Sequence, residues 1–307
     1  MNAEIWLRHP KLTLRHLRKR GKLPDLAHPH TLTEKYVWRL IFDRNPLFTV
    51  FCDKLATKRW IAAQVPSVRY ADVLWTGDSI REAPKPLLRA AAYLKSNNST
   101  NTNLKLSTNT LDEAGLHRLT RKWLEKDLYR LRGEWGYADI TPVLFIEEDL
   151  ATDADAETVE YSVYVFCGEI SHVSVMTDHK SRDVRFARFR EDGERMEIRR
   201  VLRKEYKLLA EDFRSPVAFD ALSRTAKAIC EGIDHLRVDF LWNGEDIFLT
   251  EIVTYPVAGF VRYDDEALMK EMSGRWDLHE SHFFKVEQTG WRKRARDWFE
   301  ENWREDR

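Results

Sequence analysis

Two short apolar runs late in the chain carry charge in their interiors, and this constrains the fold more than any other feature. HLRVDFLW (235–242) holds Arg237 and Asp239, and FLTEIVTYPVAG (248–259) holds Glu251. Their β-branched and aromatic residues, with the Asn243-Gly244 turn signal between them, predict two strands of one hairpin. Charge inside buried strands needs a reason, because an unpaired buried charge is costly. Two carboxylates converging beside an arginine suit a hard divalent cation on nucleotide phosphates, since magnesium prefers oxygen ligands and arginine neutralises phosphate. The alternative is an ordinary sheet with a surface ion pair.

The spacing separates these readings. Asp239 and Glu251 lie an even number of residues apart, so they share a face only if the connecting loop is odd or a strand bulges. A strict two-residue Asn-Gly turn would pair Asp239 with Phe248 and send Glu251 to the opposite face. We expect the two carboxylates to point into one cleft.

A chain of 307 residues, 43% of them hydrophobic, has room for about two domains or one elaborate one. Lys+Arg and Asp+Glu each number 50, so no global basic field favours nucleic acid. Cys52, Cys167 and Cys230 are far apart with no C-x-x-C spacing, which argues against a disulfide framework or structural zinc and fits a reducing compartment. HPH (28–30) and HESH (279–282) are isolated from further ligands and read as surface histidines. The beginning, MNAEIWLRHPKLTLRHLRKRGKL, lacks a signal-peptide core, and no 18-residue apolar run occurs, so a cytoplasmic protein without a membrane span is expected. Residues 9–22 are basic and weakly amphipathic. They read as a solvated helix face, with weak peripheral contact to anionic lipid or an acidic polymer as the alternative.

Along the chain, TLTEKYVWRLIF (31–42) predicts a capped helix that Asp43-Arg44-Asn45-Pro46 breaks. A second helix is expected over 47–63, a strand ending at Lys95, and a Ser/Thr/Asn loop over 95–103. Helices are expected over 111–131, 216–233 and 291–303, and strands over 142–150 and 159–177, the latter split by a Cys-Gly-Glu turn. ATDADAET (151–158) reads as an acidic linker.

Taken in order, several segments resemble the TupA-like branch of the ATP-grasp superfamily, from about Thr31 to about Asp265. They are TLTEKYVWRLIFDRNPLF with DKLATKRW, then KWLEKDLYRLRGEWGY and ITPVLFIEEDL, then HLRVDF and TEIVTYPVAGF. The resemblance implies an α+β, ATP-grasp-like fold in which two α+β subdomains enclose a nucleotide cleft behind a helical N-terminal region. On that basis we divide the chain into a helical region (1–64), a lid subdomain (65–148), a core subdomain with the metal site (149–285) and a C-terminal helix (286–307).

The same resemblance implies ATP and Mg2+ as cofactors and assigns roles. Lys95, before a flexible lid loop, would touch the phosphates, and Lys54 and Lys58 could approach the nucleotide. Asn97 lies in the lid, Glu147 and Glu148 match the segment lining the adenine, Asp239 and Glu251 match the magnesium ligands, and Arg237 sits near the phosphates. Lys95 and Arg237 would be catalytic. The implied activity is ligation of a carboxylate to an amine through an acyl-phosphate, in cell-surface polysaccharide modification, on a small-molecule or glycan substrate. A glycan or sugar phosphotransferase, or a catalytically weakened binding module, are the alternatives. Three positions depart from the family pattern. The 95–101 loop has no glycine, Ser162 stands where a cation is expected, and Val253 replaces a polar ligand beside Thr254. Residues 96–103 are expected to order only when nucleotide is bound.

Overall fold

The computed structural model describes residues 1–151, 158–177, 183–198, 206–263 and 265–303. Five helices precede the first strand: α1 (Asn2–Arg8), α2 (Pro10–Arg20), α3 (Leu32–Phe42), α4 (Leu47–Cys52) and α5 (Lys54–Gln64). Helix α3 starts at a capping box, in which the Thr31 hydroxyl accepts from the Glu34 amide and the Glu34 carboxylate accepts from the Thr31 amide at 3.0 Å. Its apolar positions Tyr36, Val37, Leu40 and Ile41 are buried, as the pattern predicts.

The single helix expected over 47–63 is instead two. Asp53 is extended, and its carboxylate accepts the amides of Leu55 and Ala56 at 2.8 and 3.1 Å, which restarts the helix at Lys54. Lys54 and Lys58 therefore lie one turn apart at the start of α5. The helix expected over 111–131 is likewise broken, into α6 (Glu113–Leu124) and α7 (Leu128–Arg132), with Asp127 capping α7 and Gly133 ending it in a left-handed conformation.

Strands β1 (Val73–Gly77), β2 (Ala92–Ser96), β3 (Asn103–Lys105) and β4 (Leu144–Glu148) form an antiparallel sheet in the order β1-β4-β2-β3. Its apolar face packs Leu94, Leu144 and Ile146 against Leu116 and Trp123 of α6. Strands β5 (Val159–Phe166), β6 (Glu169–Thr177), β7 (Arg185–Phe189), β8 (Lys207–Leu208), β9 (His235–Trp242) and β10 (Ile247–Val253) form a second sheet, ordered β10-β9-β5-β6-β7-β8. The expected β5–β6 turn falls at Cys167-Gly168, both with positive φ, as a tight hairpin requires. Most of the acidic linker expected over 151–158 lies outside the described residues.

Helices α8 (Phe219–Ile229), α9 (Glu266–Arg275), α10 (His282–Lys285) and α11 (Gly290–Asn302) complete the fold. They share one apolar cluster with α3 and the larger sheet, and Phe299 of α11 packs against Trp38 and Phe42 at ring separations of 5.8 and 5.1 Å. No described helix is long and apolar enough to cross a membrane.

A buried polar network crosses this cluster. Arg39 of α3 is fully buried and pairs with Asp234 at 2.6 Å, while donating to the carbonyls of His235 (2.8 Å) and Thr254 (3.3 Å). The second Asp234 oxygen accepts from the Trp276 indole at 2.6 Å. Burial, the Asp234 charge and the opposing pull of Arg39 leave the Asp43 carboxyl raised to about 7. His235 Nδ1 faces the Val165 carbonyl, so it carries the proton and Nε2 accepts from Tyr36. Removing one partner of a buried ion pair strands the other charge, so Arg39→Met should lower unfolding free energy by about 3–5 kcal/mol in urea titration. A loss below about 1 kcal/mol would mean that water relieves Asp234 and that the network is not sealed.

Candidate active site

The hairpin is present, and its register answers the spacing question. Trp242 pairs with Ile247 across a turn of residues 243–246, and Phe240 pairs with Leu249. The register then shifts between Leu249 and Glu251, leaving Thr250 as the extra residue, so that Asp239 pairs with Glu251. Without that bulge the longer turn would oppose Asp239 to Thr250 and put Glu251 on the other face. The bulge is what sets the two carboxylates side by side.

Arg237, two residues before Asp239 and on the same face, grips that carboxylate with two bonds of 2.8 and 2.5 Å. Burial raises the Asp239 carboxyl, Arg237 pulls it down and Glu251 pushes it up, with a net rise. Burial opposes the charge of Arg237, but Asp239 holds its guanidinium well above the usual range. Ser162 on β5 is the register partner of Asp239 and donates to it, so this departure from the family pattern serves the carboxylate directly. Val253 pairs with Arg237. Thr254 is buried with its hydroxyl 3.6 Å from the Cys52 sulfur.

The lysines gather on the smaller sheet. Lys95 on β2 and Lys58 on α5 both pair with Glu147 of β4, Lys58 at 3.1 Å. Burial alone would raise the Glu147 carboxyl, yet Lys95 and Lys58 hold it below its usual range. Lys58 also donates to the Ala71 carbonyl at 2.5 Å. Lys54 is lowered by burial, raised by Glu251 and lowered by Lys95, so it stands between the hairpin carboxylates and the lysine cluster. Glu148 alternates away from Glu147, and its carboxylate accepts from the Asp72 amide at 2.9 Å.

The loop expected to be free without nucleotide is folded in. Ser96, Asn97, Asn98, Ser99 and Thr102 are all buried. The Asn97 side chain donates to the Thr141 carbonyl (3.1 Å) and accepts from the Val143 amide (2.8 Å), so it joins two segments. Lys54 Nζ donates to the Ser99 carbonyl. Asn101 supplies the positive φ that a glycine was expected to provide, which asparagine tolerates well.

Residues that were not singled out also reach the cleft. Glu134 is buried, 3.7 Å from Arg132, and its Oε1 makes no hydrogen bond. Burial first, opposed by Arg132 and Arg15 and reinforced by Glu251, raises its carboxyl to about 7. The signal was the GEWGY stretch, which carries the family resemblance, but nothing local distinguishes a buried glutamate there from a solvated one. Among the described residues no cluster of three or more His, Cys, Asp or Glu could hold a metal ion. The hairpin supplies a pair.

Glu147 offers a test that needs no ligand. Its folded pKa is depressed, so its stabilisation is complete above the unfolded value of about 4.3 and is lost as pH falls through the folded value. Glu147→Gln should cost about 2–3 kcal/mol at pH 7, because it leaves two ammonium groups facing one neutral amide. Urea titrations of both proteins should converge only as pH falls through the folded value of Glu147, below its unfolded value. A difference independent of pH would mean that packing, not charge, holds the cluster.

A family model described as TupA-like ATPgrasp matches residues 34–273, a span that includes α3, both lysine-bearing elements and the whole hairpin. No curated protein matches the sequence. Similar solved structures include the ATP-grasp ligase PsnB complexed with its minimal precursor, at 14% identity and TM-score 0.39, covering 88% of this chain and 74% of that chain. D-alanine–D-alanine ligase from Bacillus anthracis is 13% identical with TM-score 0.41, covering 89% of this chain and 81% of its own. The enzyme of that name from Helicobacter pylori is 11% identical with TM-score 0.42, covering 80% and 67%. The family match spans well over half the sequence, and with its two sheets and intervening cleft residues the chain belongs to the TupA-like ATP-grasp family.

Proposed function

We propose that the chain is an ATP- and magnesium-dependent ligase that joins a carboxylate to an amine through an acyl-phosphate, in cytoplasmic modification of a cell-surface polysaccharide. The observation that carries this reading is the register shift at Thr250, which sets Asp239 opposite Glu251 on one face of the hairpin. Their oxygen donors suit a magnesium ion, which would share the Asp239 carboxylate with the bidentate Arg237. When bound there, the ion would neutralise charge on the nucleotide phosphates.

Lys95 and Arg237 would then orient and polarise the γ-phosphoryl group, with Lys54 and Lys58 adding fixed positive charge. The substrate carboxylate oxygen attacks phosphorus and ADP leaves; the amine then attacks the acyl carbon, phosphate leaves and the amine loses a proton. ATP use and three free cysteines fit a reducing cytoplasm. A binding module is the second reading. It is favoured by the loop at Ser99, whose carbonyl occupies Lys54, and by Glu147, which already pairs with both Lys95 and Lys58.

Colorimetric phosphate release and nucleotide analysis over a panel of carboxylates and amines separate the readings. A ligase yields ADP and phosphate, a phosphotransferase ADP without phosphate, and a module neither. Asp239→Asn should lower turnover by at least 100-fold, on the order of 3 kcal/mol, with thermal unfolding little changed. Lys95→Ala should weaken ATP–Mg2+ binding in calorimetric titration about tenfold, as loss of one fixed charge predicts. A fully active Asp239→Asn protein would remove this residue from the site.

A further inference from the structure

Two cations reach the tip of the 96–102 loop, and a third stands behind one of them. Arg15 of α2 donates to the Arg132 carbonyl at 2.9 Å. Arg132, at the end of α7, lies 3.4 Å from the Thr100 hydroxyl, and Lys126, just after α6, donates to the Thr100 carbonyl at 2.6 Å. The partners of all three are therefore mostly neutral oxygens. Among the described residues, the one salt bridge these cations make joins Arg132 to Glu134 at 3.7 Å.

Glu134 is a weak counter-charge. With its carboxyl raised to about 7 it is only partly ionised at neutral pH, and its Oε1 is buried without a hydrogen bond. The cations meanwhile repel one another. Arg15 is lowered by burial, then raised by Glu134 and pushed down again by Arg132, and Lys126 is lowered by burial and then by Arg132. Such a concentration of positive charge is stabilised by an anion, and Arg132 and Lys126 remain partly open to solvent, so an anion can reach them. The cluster also adjoins the hairpin, because the charge of Glu251 contributes to the rise of Glu134.

We propose that Arg15, Lys126 and Arg132 form the site that recognises an anionic oxygen group, carboxylate or phosphate, on the substrate that is ligated. A guanidinium fork and a compact ammonium together suit such a group, whereas a neutral sugar hydroxyl gains little from either. Naming the ligand as substrate rests on the ligase reading; the anion site itself does not.

The test is calorimetric titration of the full chain with glucuronate, glucose 6-phosphate and glucose, with ATP–Mg2+ titrated separately. At least one anion should bind ten times or more tighter than glucose, and the preferred one identifies the group as carboxylate or phosphate. Arg132→Gln and Lys126→Gln should each weaken that anion about tenfold while leaving ATP–Mg2+ affinity unchanged. Glu134→Gln should tighten it, because a competing carboxylate is removed. Lys126 is partly exposed on a surface segment, so its variant decides the matter if Arg132→Gln fails to fold. Anions that bind no better than glucose, or variants that hold them as tightly as the parent, would overturn the proposal. If ATP–Mg2+ does not bind the parent while Lys126→Gln still loses the anion, the ligase reading fails and the anion site stands.

Discussion

The guanidinium of Arg39, sealed between Asp234 and Asp43, fixes the geometry on which the cleft depends. Its remaining donors reach the carbonyls of His235 and Thr254, one at the start of β9 and the other just past the end of β10. Both legs of the hairpin are thereby held at their base against α3. A buried ion pair cannot slide without stranding a charge, so these bonds set position as well as contributing energy. Trp276 and Phe48 flank the guanidinium at 4.6 and 5.0 Å and keep water from it. The short break after α3 then leads to α4 and α5, so the lysines of α5 start from the same anchored point.

From that base the cleft is built by local departures from regular structure. Asp53 interrupts a run that would continue as one helix, and this turns Lys54 and Lys58 toward the smaller sheet. The bulge at Thr250 rotates the outer half of β10 relative to β9 and brings Glu251 to the face of Asp239. Asp53 sits at the start of a helix and the bulge lies on the edge strand of the larger sheet, places where a cap or an extra residue costs little and redirects a side chain. Glycine is not needed for the loop between β2 and β3, because Asn101 adopts the left-handed conformation and the Ser96 and Thr102 hydroxyls close the turn at 2.9 Å.

Charge is balanced unevenly across the cleft. On the smaller sheet, Glu147 faces two lysines and is fully committed to them. On the hairpin, Arg237 is committed to Asp239, while Glu251 reaches Lys54 and Glu134 through longer-range fields. At the loop tip, positive charge exceeds its counter-charge. Of these cations, those at the loop tip have the most modest counter-charge, so they gain most from an incoming phosphate or carboxylate, whereas a cation already buried with a close partner gains little from exchange.

What the sequence determined by itself was whatever depends on near neighbours. The capping box of α3, the Cys167-Gly168 turn, the Asn243-Gly244 signal and Lys95 on a strand before a polar loop all rest on residues a few positions apart. Their local preferences are strong enough to be read. The ordered motifs around them were enough to identify the family. Tertiary structure decided the rest. The bulge at Thr250, where the threonine hydroxyl donates to the Asp239 carbonyl at 3.1 Å across the two strands, depends on the pairing of β9 with β10. The commitment of Asn97 to Thr141 and Val143, and the meeting of Arg15, Lys126 and Arg132, join residues tens of positions apart. Glu134 reads as an ordinary surface glutamate until burial removes its water and Glu251 approaches from another strand. Burial and long-range fields are properties of the assembled chain, so no local pattern encodes them.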